Sequence, residues 1–170
     1  MVVLLISLVV LGGIRQADPL SPLLFDIFME TLSRMLDVAA TTSQFSGFSV
    51  GNTAGNLVMV SHLLFANDTL IFCDADPTQI ASLRAILARF EEVSSLRINL
   101  GKSELVPIGV VHNMDVLVGM LGYRQSSLPL RYLGLLLGAK FKELSIWNFI
   151  LEKMERRLAE WKRLYLSKGG

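Results

Sequence analysis

The stretch "HLLFANDTLIFC", His62–Cys73, decides how the rest of this chain is read. It is an apolar run, a polar corner and a second apolar run. Two-residue hairpin turns need backbone of positive φ, which Asn and Asp tolerate. The stretch therefore predicts two strands, Val58 to Ala66 and Thr69 to Cys73, around an Asn67-Asp68 corner. The corner side chains are nearly the same shape, yet only Asp68 carries charge. A hairpin tip projects side chains from a stiff ladder and leaves room for a substrate, so it suits metal-binding carboxylates. It also suits an ordinary solvated turn.

Working outward, "DPLSPLLFDIFMETLSRML" predicts a helix capped by Ser21, with Pro22 in its first turn. Its apolar residues Leu24, Ile27, Phe28, Leu32, Met35 and Leu36 recur at helical spacing. Residues 45–55 are rich in Ser, Gly, Thr and Asn and read as short strand and turn. Beyond the hairpin, Asp76-Pro77 opens a second helix with Ile80, Leu83, Leu87 and Phe90 on one face. "LRINL" and "ELVPIG" read as short strands around Gly101-Lys102, and "LPLRYLGLLLG" as a hairpin or strand pair. Ser145 then caps a long helix, with Trp147, Ile150, Met154, Leu158, Trp161 and Tyr165 expected to face inward. Helix, hairpin, helix, strands, helix is an α+β order, unlike the alternation that builds a parallel sheet.

The first residues, "MVVLLISLVVLGG", are apolar from Met1 to Leu11 apart from Ser7. That run is too short for a membrane-spanning helix, and no cation precedes it as in a signal peptide. Val2, Val3, Ile6, Val9 and Val10 are β-branched and Gly12-Gly13 ends the run, which favours a buried strand or irregular core segment over a membrane or targeting role.

With 170 residues, no repeat and no low-complexity linker, the chain reads as one folding unit with a real core. Hydrophobic residues make up 52% and the mean hydropathy is +0.50, so it must bury much surface or present apolar patches to a partner. A net charge of +1 advertises no global attraction to nucleic acid. The charge is uneven, because residues 145–170 hold six Lys/Arg and three Glu, net +3. Cys73 is the single cysteine, which excludes an internal disulfide and suits a reducing compartment. His62 and His112 have no metal-ligand spacing with it.

Four segments, "IRQADPLSPLLFDIFMETLSRML", "SHLLFANDTLIFC", "INLGKSELVPIG" and "RYLGLLLGAKFKELSIW", stand in an order that resembles the reverse transcriptase of plant LINE-type (non-LTR) retrotransposons. The likeness runs from about Ile14 to Gly170. It implies a right-hand polymerase: a partial palm over 14–144 and the start of a thumb-like helix over 145–170, behind a divergent apolar segment over 1–13. It also implies Mg²⁺ as cofactor, an RNA template and a DNA primer as partners, and no membrane. An intracellular location follows, with nucleus or cytoplasm left open.

In that family an aspartate from an early strand and an Asp pair at a hairpin tip hold the metal. Here the tip reads Phe65-Ala66-Asn67-Asp68, so the first of the pair is Asn67 and Asp68 is the metal ligand that survives. A neutral amide oxygen binds Mg²⁺ far less well than a carboxylate. Upstream of the shared region stands only Met1–Gly13, with no acidic residue. By the same resemblance Arg15, Gln16 and Ala17 would contact template or nucleotide, with Phe65 and Ala66 beside them. Ala17 replaces a glycine, and its methyl restricts the backbone there. Lys102 resembles the lysine that donates a proton to the leaving pyrophosphate, and equally reads as a solvated turn residue. Tyr132-Leu133-Gly134 resembles the primer-grip hairpin, and core packing explains it as well.

Lys153, Arg156, Arg157, Lys162 and Arg163 could follow a duplex backbone. The interspersed Glu152, Glu155 and Glu160 also describe a solvated helix face. The expectation is a catalytically inactive reverse transcriptase fragment. The alternatives are a residual nucleic-acid-binding module, a non-functional or structural remnant, and a polymerase active only when complemented by fingers and upstream palm. Lack of the early palm strand would leave the hairpin with an open edge and an apolar face, hence poor solubility or self-association.

Overall fold

The computed structural model describes residues 1–10, 20–51, 57–139 and 145–166, and not the side chains of residues 10, 145, 146, 149, 160 and 162–166. Two compact units divide it, Met1–Ser126 and Ser127–Gly170.

In the first unit, strand β1 (Val2–Val10) is followed by helix α1 (Ser21–Thr41), then by a ribbon of β2 (Phe48–Gly51) and β3 (Leu57–Val60). The hairpin of β4 (His62–Phe65) and β5 (Asp68–Cys73) comes next, then helix α2 (Pro77–Ser94), β6 (Leu96–Ile98) and β7 (Glu104–Pro107). Helix α3 (Met114–Leu121) and the short β8 (Arg124–Gln125) complete it. The sheet order is β4-β5-β1-β7-β8, with β6 also paired to β1. Strand, helix, hairpin, helix, strand with the first strand in the middle is the ferredoxin-like split βαβ arrangement. The fold is α+β, as expected, and it matches a partial polymerase palm.

The central strand is the N-terminal one. β1 runs antiparallel to β5 from Val2↔Cys73 to Ser7↔Asp68, and on its other side to β7 and then β6. The anticipated open edge beside β5 is therefore closed, and the sheet edge lies at β4. A β-branched run with few polar residues suits this place, since strands pair along both sides of β1 and its residues from Val2 to Leu8 are buried or half-buried. Its even-numbered side chains, Val2, Leu4, Ile6 and Leu8, join Leu32 and Leu36 of α1, Leu83 and Phe90 of α2 and Leu117 of α3 in one core. Its odd-numbered side chains share the opposite face with Leu70 and Asp68.

Helices α1 and α2 each start with proline near N1. Asp76 caps α2 by accepting from the Thr78 and Gln79 amides at 2.6 and 3.2 Å, and the Thr78 side chain first, then these two amides, hold its carboxyl below the ordinary range. For α1 the cap falls on Leu20, not Ser21, and the Leu20 side chain makes no capping hydrogen bond. Leu24 and Ile27, expected inside, are exposed, and Met29 and Ala39 take the buried positions instead. The Val58–Ala66 stretch is two strands rather than one. At Gly47 an added Cβ would lie 2.6 Å from the Val60 carbonyl oxygen, so the backbones meet there and β3 turns away to pair with β2. Helix α3 and strand β8 went unforeseen, because "MDVLVGML" is too short and too uniformly apolar to show a helical period.

In the second unit, β9 (Leu130–Tyr132) and β10 (Leu135–Leu137) form the expected hairpin. Its two-residue turn is Leu133-Gly134, at φ of 52° and 83°. Helix α4 (Ser145–Leu166) follows. Its Trp147, Met154, Leu158 and Trp161 are exposed, contrary to the inward face expected, and Ile150 is partly buried.

Candidate active site at the hairpin tip

The tip of the β4–β5 hairpin is built by register. Phe65 pairs with Asp68, so the two turn residues are Ala66 and Asn67, and Asp68 is the first residue of β5. The left-handed conformation falls on Ala66, at φ 49°, not on the Asn67-Asp68 pair. An alanine there carries a steric cost on the order of 1–2 kcal/mol. The surrounding ladder holds it in place.

Three chain segments meet at this end of the sheet. The Leu8 amide donates to the Asn67 carbonyl at 2.8 Å, and Asn67 Nδ2 donates to the Leu8 carbonyl at 3.3 Å. On the far side of β1, the Asn99 amide donates to the Ser7 carbonyl at 2.8 Å. The Ser7 amide donates to Ser103 Oγ at 3.3 Å, and that hydroxyl donates to the Asn99 carbonyl at 2.9 Å. The turn between β6 and β7 that carries Lys102 is thus pinned to β1 beside the residue paired with Asp68. Lys102 itself is exposed. Phe65, Ala66, Asn67, Asp68 and the Lys102 turn share one end of the sheet. Arg15, Gln16 and Ala17 lie outside the described residues.

The donors around Asp68 are sparse. Its register partner on β1 is Ser7, a buried hydroxyl, and β1 holds no acidic residue. Another carboxylate on the same face, Glu104, lies opposite Leu5 and is engaged by Arg124 at 3.5 Å. Among the described residues no group of three or more His, Cys, Asp or Glu could hold a metal ion. A pair of catalytic divalent ions about 3.5–4 Å apart needs several carboxylates. One carboxylate, a hydroxyl and an amide turned toward a backbone carbonyl do not fit that requirement.

Beside this tip, Thr69 Oγ1 is buried with no hydrogen-bond partner, on the face turned to the helices. Further along β4, His62 bridges to α1. Its Nε2 lies 2.8 Å from Ser33 Oγ and its Nδ1 2.8 Å from Ser61 Oγ, with Asp37 at 3.9 Å. Burial lowers its pKa, and Asp37 opposes that shift. Cys73 is buried, and burial, helped by Asp74, pushes its thiol up to about 12, so it is no nucleophile at neutral pH. Ser7 was the residue that sequence reasoning passed over. Its signal was present, as the lone hydroxyl inside an otherwise apolar strand.

In the second unit, Lys153 and Arg157 of α4 flank a hollow of about 210 Å³ with Leu133, Gly134 and Leu135. Arg156 points to Glu152 at 3.2 Å. These three cations are exposed; the side chains of Lys162 and Arg163 lie outside the description.

Two comparisons with known proteins bear on this geometry. The sequence pattern of the reverse transcriptase (RNA-dependent DNA polymerase) family matches residues 8–137. The chain is also 44% identical over 57 residues to an Arabidopsis thaliana chain described as an uncharacterized mitochondrial protein. That similarity covers 34% of this chain and 44% of the Arabidopsis one, under half of its length.

Proposed function

We propose a function from one premise, that this chain belongs to the reverse transcriptase (RNA-dependent DNA polymerase) family. It is a palm portion of a LINE-type reverse transcriptase, with α4 as the start of a thumb, and by itself it does not polymerise. The parent reaction joins deoxynucleotides to a primer 3′-hydroxyl along an RNA template. When bound, Mg²⁺ would supply the charge that stabilises phosphoryl transfer. The observation that carries the proposal is the rung at the hairpin tip: Asp68 faces Ser7 across the strands and has Asn67 beside it. The four ordered motifs support the LINE-type origin, and the same reading gives the protein an intracellular location.

Primer extension with Mg²⁺ on an annealed RNA–DNA substrate tests this. No incorporation above an Asp68→Ala control is expected. Extension by the purified chain that vanishes in that control would overturn the proposal.

A second reading, residual nucleic-acid binding, is favoured by one feature. Exposed Lys153 and Arg157 sit one helical turn apart beside the Leu133-Gly134 turn, as cations that follow a phosphate backbone do. Duplex binding that weakens steeply with salt and drops in Arg156→Ala/Arg157→Ala would establish it. Self-association is proposed as well, now through the β4 edge, where Leu63 and Phe65 are exposed. A clean monomer in sedimentation at micromolar concentration would remove it.

A further inference from the structure

We infer that Asn67 serves as a latch holding the hairpin tip on β1, and that Ser7 occupies the position where a further carboxylate would have to stand. The tip then takes up a divalent cation only when both residues are changed. The inference rests on the reading of this sheet as a disarmed palm and extends it to what the disarmed residues now do.

The latch is visible in the hydrogen bonds. Asn67 and Leu8 exchange two of them, one from the Leu8 amide to the Asn67 carbonyl and one from the Asn67 amide to the Leu8 carbonyl. They lie just beyond the last paired rung, Ser7↔Asp68, and extend the grip of β1 to the turn. An aspartate at 67 has no hydrogen to donate, and would set a negative oxygen against the Leu8 carbonyl. Restoring charge at 67 alone therefore opens the tip.

The second half of the inference follows from register. Antiparallel cross-strand partners share a face with their Cβ atoms about 4.5–5.5 Å apart, near enough for two carboxylates to share one ion. On β1 that partner is Ser7, and its hydroxyl is uncharged. A cation beside Asp68 would meet a single negative charge.

Two readouts test this, Mn²⁺ binding followed by electron paramagnetic resonance and hydrogen exchange at the Leu8 amide. The unmodified chain is expected to take up no Mn²⁺ at the tip. Asn67→Asp should still take up none while Leu8 exchange accelerates about tenfold, the scale of one lost hydrogen bond. Asn67→Ala should accelerate it less. Ser7→Asp/Asn67→Asp should bind Mn²⁺, and its Tm should rise on adding the ion. Refolding of that double variant only with Mn²⁺ counts for the inference; failure to fold even with Mn²⁺ counts against the Ser7 assignment. Leu8 exchange unchanged in Asn67→Asp overturns the latch. Mn²⁺ uptake by the unmodified chain that disappears in Asp68→Asn, without primer extension, overturns this inference alone, whereas primer extension overturns the parent reading.

Discussion

Helices α2 and α4 are written in the same pattern and end in opposite surroundings. In α2 the apolar positions Ile80, Leu83, Leu87 and Phe90 are 0–2% exposed, whereas in α4 Trp147, Leu151, Met154, Leu158 and Trp161 are 51–56% exposed. Spacing in a sequence says which side chains share a face. It does not say what covers that face. The central sheet covers α2, because β1 presents four alternate apolar side chains to the helices. The α4 positions follow a four-three spacing, the pattern of a seam between helices, with its apolar side open in the described structure.

The largest expected effect tests the buried side of this contrast. Phe90→Ala should cost about 3–5 kcal/mol in chemical denaturation, because it empties a fully enclosed site. Leu158→Ala, at an exposed position of α4, should change stability by less than about 1 kcal/mol. Equal losses at the two sites would show that α4 is as well covered as α2.

Next in size is Gly47→Ala. The new methyl meets backbone at Val60 and cannot be accommodated by a rotamer change, so a loss of about 1–3 kcal/mol is expected, read as a lower Tm. A neutral outcome would mean that the ribbon shifts freely and is no part of the cooperative unit.

A smaller effect separates the units by pH. His62 has a lowered pKa in the folded protein, so the unfolded chain binds the proton first, near the ordinary value of 6.5. Its contribution is complete above that pH and is lost as pH falls through 6.5 toward the lowered folded value. The stability of Met1–Ser126 against unfolding should therefore fall in this range, and His62→Gln should flatten the dependence. Thermal scans from neutral to mildly acid pH decide it, and an unchanged slope in His62→Gln would assign the effect elsewhere.

The smallest change is a gain. Thr69→Val replaces a buried hydroxyl that has no partner with a methyl of the same shape, and should stabilise by about 1 kcal/mol. A loss would reveal a hydrogen bond to Thr69 Oγ1, such as one from an internal water.

Much of this is legible in the sequence. The α2 stripe, the hairpin, the strands flanking Gly101-Lys102 and the strand pair within "LPLRYLGLLLG" follow from periodicity and turn chemistry, which act over a few residues. The turn at 66–67 was displaced by one residue, because cross-strand pairing of Phe65 with Asp68 outweighs the local preference of Asn and Asp for left-handed backbone. Leu24 and Ile27 misled for another reason: an apolar α1 offers more hydrophobic residues than one face of the sheet can cover.

By itself, the sequence determined that the tip carries a single carboxylate, Asp68, beside the neutral Asn67, since charge is a property of residue identity. It also determined the α+β order, through the periods of its apolar residues. Only the tertiary structure decided that "VVLLISLVV" becomes the central strand, that Ser7 stands opposite Asp68, and that the Asn67 amide turns to Leu8. Those facts are pairings between segments some sixty residues apart, fixed by ladder register and burial, and no local pattern encodes a partner at that distance.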